Sequence, residues 1–291
     1  MSIKHILIPI EGQDADNYVL ETAYKMGQKF NAHLEVLEVM LDGRDAIPFI
    51  GQGLSAPVVE QILHSLEAES KDQRNKALQN FNTWRKQHPE LLFLEHKEIP
   101  QNGKTTLSWT EIIGRNAEIV PEKARVSDMV VLARTSANDD DLSAAMAEST
   151  LMEGGCPVLF AVENMPKDIG SNITLFWNGS LECARAVHFA LPFLKKASKV
   201  TVLTTSKVDT MGESGAALKN YLAYHNINVD LIDLECDTSD IGASILKNSY
   251  DLKADLFILG AYCHSKLREW VLGSITRYVL KEATIPCLLI H

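Results

Sequence analysis

The chain has no long apolar run of the kind that crosses a membrane. A bilayer-spanning helix needs about eighteen or more consecutive apolar residues, and no such stretch occurs in the sequence. The first residues, Met1–Pro9, also lack the basic region, apolar region and cleavage site of a secretory signal, and they lead directly into an apolar strand pattern. We therefore expect a cytoplasmic protein without a membrane partner.

Cysteine is scarce and shows no metal-binding spacing. The sequence contains five cysteines, an odd number, and no C-x-x-C pair. The only adjacent cysteine and histidine are Cys263 and His264, and nothing nearby supplies the other ligands of a zinc site. We expect reduced thiols and no structural zinc site.

Basic residues are outnumbered, and the familiar catalytic motifs are missing. Lysine and arginine total 28 against 38 acidic residues, which gives a formal charge of −10 and argues against a nucleic-acid partner. The sequence contains no G-x-S-x-G, no H-E-x-x-H and no P-loop lysine signature. The sequence therefore identifies no candidate catalytic residue.

The same order of elements occurs twice in the chain. In each half an apolar strand leads into a glycine turn, an amphipathic helix and a second strand, and two further apolar strands follow later. The matching strands and turns are Ile6–Ile10 with Ile173–Trp177, Glu11–Gln13 with Asn178–Ser180, Leu34–Met40 with Val200–Leu203, Asp128–Ala133 with Asp255–Gly260, and Cys156–Phe160 with Ile285–Leu289. This repetition indicates a duplicated domain.

Short, continuously apolar strands separated by helices are typical of parallel sheets covered on both faces. Each half is therefore predicted to be an α/β domain with the order β-α-β-α-β-α-β-α-β. The segment Met165–Gly170 has linker composition, so we place the domains at residues 1–164 and 170–291.

An insertion distinguishes the first half. Residues 41–57 form a glycine- and proline-containing loop, and residues 58–87 have the pattern of a long amphipathic helix. The second half has only a short helical segment, Met211–His225, at this position. A loop of this length in a compact domain is often a lid, a partner surface or a disordered segment. We regard residues 41–87 as the candidate surface for a protein partner or a homodimer.

A glycine pattern near the C-terminus is typical of phosphate binding. Gly260 ends an apolar strand, and Gly273 and Ser274 open the following helical segment. Glycines let the backbone approach an anion, and the free N–H groups at a helix start face it. The alternative is a tight strand-to-helix connection with a serine N-cap, which needs the same residue types.

These features resemble a tandem universal stress protein. The match is sharpest in Phe176–Ser180 with the helix after it, and from Gly260 to Tyr278. The resemblance implies two flavodoxin-like, adenine-nucleotide-hydrolase-like domains, each an open five-stranded parallel sheet, packed as a pseudo-dimer through their last strands. Nucleotide-binding members of the family carry G-x2-G-x9-G-[ST] after the fourth strand and an Asp after the first.

Carried over residue by residue, the resemblance assigns a nucleotide site to the second half. Two positions depart from the family pattern: Cys263 replaces the second glycine, and Asn178 stands where Asp is usual. His264 follows Cys263, and a phosphate contact through it would weaken as pH rises. The implied nucleotide-binding residues are Asn178, Gly179, Ser180, Thr205, Gly260, Cys263, His264, Gly273, Ser274 and Ile275.

The matching region of the first half departs much further from the motif. Ala133 replaces the first glycine, and Ala144-Ala145 stand where Gly-Ser would be. The three carboxylates of Asp139–Asp141 would repel a phosphate. We interpret this half as having a degenerate nucleotide site.

The resulting functional hypothesis is a stress-response protein that binds ATP, with or without Mg²⁺, or a related adenine nucleotide in its second domain. It would act by binding and conformational signalling. Two alternatives stay open, a nucleotide-free protein-interaction module and a slow ATP hydrolase.

Overall fold

Most strands are followed by a helix along the chain, as the apolar pattern predicts. The computed structural model describes residues 2–41, 56–95, 103–134, 142–205, 212–235, 240–261 and 274–291. Within these residues the elements are β1 (His5–Ile10), α1 (Ala15–Phe30), β2 (His33–Met40), α2 (Ala56–Gln87), β3 (Leu92–Phe93), β4 (Thr106–Ile113), α3 (Asn116–Ala124), β5 (Met129–Ala133), α4 (Leu142–Glu153), β6 (Val158–Ala161), β7 (Asn172–Phe176), α5 (Leu181–Leu194), β8 (Lys199–Thr204), α6 (Gly215–Tyr224), β9 (Asp230–Asp233), α7 (Ile241–Asp251), β10 (Leu256–Gly260), α8 (Ser274–Glu282) and β11 (Cys287–Ile290).

The chain divides into two compact units. The N-terminal unit contains β1–β5 and α1–α4, and the C-terminal unit contains β6–β11 and α5–α8. Strand β6, which the sequence predicts as the last strand of the first domain, thus lies in the C-terminal unit. The domain limits at residues 164 and 170 stay a prediction.

The N-terminal unit has a parallel sheet in the order β3-β4-β2-β1-β5. Buried apolar side chains fill β1 and β5, because helices cover both faces of the centre of a parallel sheet. The two-residue strand β3 is absent from the sequence prediction. It is too short to produce a recognisable alternation of apolar and polar residues.

The C-terminal unit has the order β6-β11-β10-β7-β8-β9. Its strands β7–β11 are mutually parallel, and β6 pairs with β11 in the antiparallel direction. Chain order reverses between β7 and β10, since β7 leads to β8 on one side while β10 leads to β11 on the other. Open α/β sheets bind ligands outside the carboxyl ends of their strands at such a switch point.

Helix α2 confirms the predicted amphipathic helix over residues 58–87. Its second half buries Ala77, Phe81 and Trp84, with Phe81 in contact with Trp109 of β4 and Trp84 in contact with Tyr24 of α1. Apolar residues of its first half, such as Val59 and Leu66, are half-buried. Most of the predicted loop before it lies outside the described residues. None of the helices in the described ranges has the length and apolarity of a bilayer-crossing segment.

Candidate nucleotide site at the carboxyl edge of the C-terminal unit

Three adjacent strand ends bring the described part of the predicted site together. Asn178–Ser180 follow β7, Thr205 follows β8, and Gly260 is the last residue of β10. Strand β7 pairs with β8 on one side and with β10 on the other, and all three strands run in parallel. These residues therefore lie along one edge of the sheet, at its switch point.

Two helices begin at the same edge. Helix α5 follows the turn after β7, and helix α8 starts at Ser274 on the connection from β10 to the parallel strand β11. Ile275 is half-buried in the first turn of α8. Helix starts carry free N–H groups and the positive end of the helix dipole, so this edge favours an anion. The predictions for Cys263, His264 and Gly273 concern positions outside the described residues.

The turn after β7 is held by its own side chains. The Ser180 backbone N–H donates to Asn178 Oδ1 at 3.0 Å, and Ser180 Oγ accepts from the Cys183 backbone N–H at 3.2 Å. Ser180 is 3% exposed and is the N-cap of α5. The Asn178 and Ser180 side chains, which the sequence predicts to bind a ligand, therefore stabilise the turn and the helix start.

Gly179 is needed for a close approach of two backbone segments. Its φ of +78° favours glycine, and a Cβ at this position would lie 2.9 Å from Gly212 N and 3.0 Å from Glu213 O. A Cβ at Gly212 would in turn lie 2.6 Å from the Gly179 carbonyl oxygen. The segment before α6 thus packs directly on the turn after β7.

Sequence reasoning missed Gly212 because it lies between the two segments in which the family match is sharpest. The available signal is that Gly212 precedes the cap of α6, Ser214, at the carboxyl end of a neighbouring strand. Trp177 makes the same connection, since its indole N–H donates to the Glu213 carbonyl oxygen at 2.9 Å and its side chain is buried. Trp177 therefore packs in the core at the base of the site.

Gly260 lets α5 pack against the end of β10. A Cβ at Gly260 would lie 2.4 Å from Cys183 N and 2.5 Å from Glu182 C, both in the first turn of α5. Backbone atoms cannot move away as the tip of a flexible side chain can. The first glycine of the predicted motif thus shapes the site by positioning a helix.

The site has no inbuilt metal centre in the part that is described. Among the residues that the structure covers, His, Cys, Asp and Glu side chains form no cluster of three or more suited to a metal ion. Thr205 is buried at the end of β8.

The corresponding edge of the N-terminal unit is occupied by the protein's own groups. The Glu11 carboxylate accepts from Asn116 Nδ2 at 2.9 Å and from Ser143 Oγ at 2.7 Å. Asn116 and Ser143 lie in the first turns of α3 and α4, where a phosphate would be favoured. An internal carboxylate thus lies at these two helix starts.

Helix α2 covers the turn after β1. A Cβ at Gly12 would lie 2.3 Å from the Gln73 carbonyl oxygen, and Asn80 Nδ2 donates to the Gln13 carbonyl oxygen at 2.9 Å and to Asp16 Oδ2 at 3.0 Å. Burial raises the pKa of Asp16, and the hydrogen bond from Asn80 opposes that effect. The turn that would contact a nucleotide in this unit is therefore packed under a helix.

Comparison with known proteins agrees with this fold. The family model described as "Universal stress protein family" matches residues 171–291. No curated protein matches the chain at a significant level. A universal stress protein from Archaeoglobus fulgidus DSM 4304 superimposes with a TM-score of 0.65 at 13% identity, covering 98% of this chain and 96% of that one.

A functionally unknown protein from Pseudomonas aeruginosa PAO1 superimposes with a TM-score of 0.55 at 14% identity, covering 99% of this chain and 92% of its own. At such identities the two structures establish the fold only. The order β11-β10-β7-β8-β9, the switch point between β10 and β7, and the family match coincide in the same residues. Residues 171–291 are therefore a universal stress protein domain.

Proposed function

We propose that the C-terminal domain binds ATP, or a related adenine nucleotide, at the carboxyl edge of its sheet and acts in a stress response by binding and conformational signalling. The observation that carries the proposal is the meeting of the ends of β7, β8 and β10 with the starts of α5 and α8 at one switch point. This is the place where open α/β sheets bind ligands. The universal stress protein domain covers the same residues.

The described residues have different roles in the proposed site. Asn178 and Ser180 hold the turn after β7, while Gly179 and Gly260 allow close backbone packing around it. In this proposal the phosphates are contacted directly by the segment that ends in Gly273 and Ser274, because this segment matches the family motif. The nucleotide supplies the phosphate charge that the two helix starts favour, and Mg²⁺ would accompany it.

The N-terminal unit is proposed to bind no nucleotide. Its Glu11 carboxylate already accepts hydrogen bonds from Asn116 and Ser143, and α2 packs over Gly12. A phosphate placed there would face the Glu11 carboxylate at close range, which is unfavourable for two like charges. The expected stoichiometry is one nucleotide per chain.

A nucleotide-free interaction module is the second candidate. It is favoured by the contact between Gly179 and Gly212, since the chain itself fills the space above that turn, and by the local use of the Asn178 and Ser180 side chains. In this case the half-buried apolar residues of the first half of α2, such as Val59 and Leu66, would form the partner surface.

Calorimetric titration of the full chain with Mg–ATP tests the proposal. The informative variants are Gly273→Asp, which adds a carboxylate to the C-terminal motif, and Ala144→Asp, which adds the same group at the matching position of the N-terminal unit. We expect micromolar binding of one nucleotide to the wild type and to Ala144→Asp. Gly273→Asp should lose at least tenfold in affinity, because its carboxylate repels the phosphates.

The two variants also separate the candidates. Absence of binding by nucleotide-free wild-type protein would favour the interaction module. Binding that is lost in Ala144→Asp and retained in Gly273→Asp would place the site in the other unit and contradict the proposal.

A further inference from the structure

A buried carboxyl group lies between the sheet of the N-terminal unit and α2. Glu38 near the end of β2 is 4% exposed, and its Oε2 atom is shielded from solvent without a hydrogen-bond partner. Burial, aided by the neighbouring Glu111 carboxylate, raises the pKa of Glu38 to about 7. A carboxyl group in this setting prefers to be neutral.

Among the described residues, the cation that lowers the pKa of Glu38 is Arg74, and Arg74 is already paired with another carboxylate. Glu111 lies directly opposite Glu38 in the ladder between β2 and β4. Arg74 of α2 binds both oxygens of Glu111 at 2.8 and 3.1 Å, and Trp109 Nε1 donates to Glu111 Oε1 at 3.0 Å. On the other side, β1 presents the apolar Ile10. Ionisation of Glu38 would therefore place a second negative charge beside an ion pair with a single guanidinium.

Residues 70–74 of α2 also hold the helix against the carboxyl edge of the sheet. Ser70 Oγ donates to the Leu41 carbonyl oxygen at 3.3 Å, and Gln73 packs its carbonyl group on Gly12. Arg74 follows immediately, so the ion pair with Glu111 stands between these two contacts and the buried residue Ala77. A change in charge at Glu38 therefore acts on the docking of α2.

The C-terminal unit has no such pair at the matching ladder position. Glu38 lies opposite Ile10, which the internal repeat aligns with Trp177, and the register Phe176↔Leu203 places Thr204 next to Trp177. Thr204 in turn lies opposite Asp233. A neutral hydroxyl thus replaces one of the two carboxyl groups, and the arrangement is particular to the N-terminal unit.

We propose that α2 is a pH-controlled strap over the carboxyl edge of the N-terminal unit, docked when Glu38 is neutral and released before Ala77 when Glu38 is ionised. Release lets water reach Glu38 and frees Arg74 to move between the two carboxylates. It also uncovers the turn at Gly12. The strap thus links the acidity of the medium to the exposure of this edge and of the inserted helix.

Amide hydrogen exchange of the full chain tests the proposal. Exchange is followed by mass spectrometry at pH 5, pH 6, pH 7 and pH 8, with the intrinsic pH dependence of exchange removed. In the wild type, peptides from residues 60–76 should lose protection by up to about tenfold per pH unit as the pH rises from the ordinary pKa of a glutamate, 4.5, to the raised pKa of Glu38, about 7, and should change no further above it. Peptides of β1 and β2 should not change. Glu38→Gln and Glu38→Thr should keep constant protection across this range.

Glu67→Gln is the matched control, because it removes one negative charge from an exposed position on the same helix. This variant should respond to pH as the wild type does. Constant protection of the wild type would overturn the proposal, since Arg74 would then neutralise both carboxylates in place. The proposal would also be overturned if Glu38→Gln and Glu38→Thr lost as much protection with rising pH as the wild type. A loss of protection shared by β1 and β2 would overturn it as well. Glu38→Thr alone decides if Glu38→Gln does not fold.

Discussion

At the scale of single residues, Gly260 is a motif glycine whose lack of a side chain lets helix α5 pack against the end of β10. A Cβ at this position would approach Cys183 N and Glu182 C at 2.4 and 2.5 Å. We expect Gly260→Ala to lower the free energy of unfolding by about 1–3 kcal/mol, because α5 must shift away. Urea unfolding followed by circular dichroism measures this loss. Gly215→Ala is the comparison, since the closest atoms there are side-chain methyl groups, and an equal loss in both variants would contradict the argument.

Two serine caps differ in burial and should differ in energy. Ser180 caps α5 in a buried site, whereas Ser214 caps α6 at an exposed position with the same 3.2 Å hydrogen bond. Replacing an N-cap serine by alanine typically costs about 1 kcal/mol, and a donor left unsatisfied in a buried site costs more. We therefore expect Ser180→Ala to be more destabilising than Ser214→Ala. Chemical unfolding of both variants checks the order, and the reverse order would refute the burial argument.

At the scale of elements, one face of β1, β2 and β4 carries a polar network. Glu35 Oε2 lies 3.1 Å from His5 Nε2, and Glu35 Oε1 accepts from Thr110 Oγ1 at 2.9 Å and lies 3.8 Å from Lys123 Nζ. The hydrogen bond with His5 is the largest cause that lowers the pKa of Glu35 to about 2. This face depends on a carboxylate that stays ionised in mild acid.

The sign of the resulting pH dependence follows from that shift. A carboxylate whose folded pKa is below its unfolded value of 4.5 stabilises the fold above that value, and the contribution disappears as pH falls towards 2. The full contribution is at most about 3 kcal/mol. We expect Glu35→Gln to be less stable than the wild type at pH 7, with a difference that shrinks between pH 5 and pH 2. A difference independent of pH, measured by urea unfolding, would rule out the charge as its cause.

The elements were predictable from the sequence, whereas several of their contacts were not. Long periodic segments such as α1, α2 and α5 follow from apolar spacing, and the strands for which the sequence predicts a position, β1, β2, β5 to β8, β10 and β11, lie within a few residues of it. The sequence predicts no positions for β3, β4 and β9. The contact of Gly179 with Gly212 was not predictable, because it joins backbone segments far apart in sequence.

A second contact had a sequence signal that the motif comparison did not use. The rings of Trp84 and His88 lie in tilted contact at the end of α2, and those of Tyr221 and His225 meet edge to face at the end of α6. The shared spacing of an aromatic residue and a histidine four positions later marks the ends of the two second helices. It aligns α6 with the second half of α2. The first half of α2 therefore stands out as the part without a counterpart.

At the scale of the whole molecule, the two compact units give the proposed nucleotide a local effect. A ligand that binds only the folded C-terminal domain stabilises that domain by about 2.7 kcal/mol at a hundredfold excess over its Kd. Openings of the site-bearing strands should become rarer by up to about a hundredfold, while openings of the N-terminal sheet stay unchanged. This difference makes amide exchange more informative than a single melting temperature.

We therefore expect saturating Mg–ATP to slow amide exchange in β7, β8 and β10 and to leave β1, β2 and β5 unaffected. The reason is that the strand ends assigned to the nucleotide all belong to the C-terminal unit, whereas Glu11 occupies the matching edge of the other unit. Gly273→Asp should show no protection, and Ala144→Asp should behave as the wild type. Protection of equal size in β1 and β7 would mean that both units open together or that both bind nucleotide. The calorimetric stoichiometry then distinguishes these two cases, because a single bound nucleotide is compatible only with units that open together.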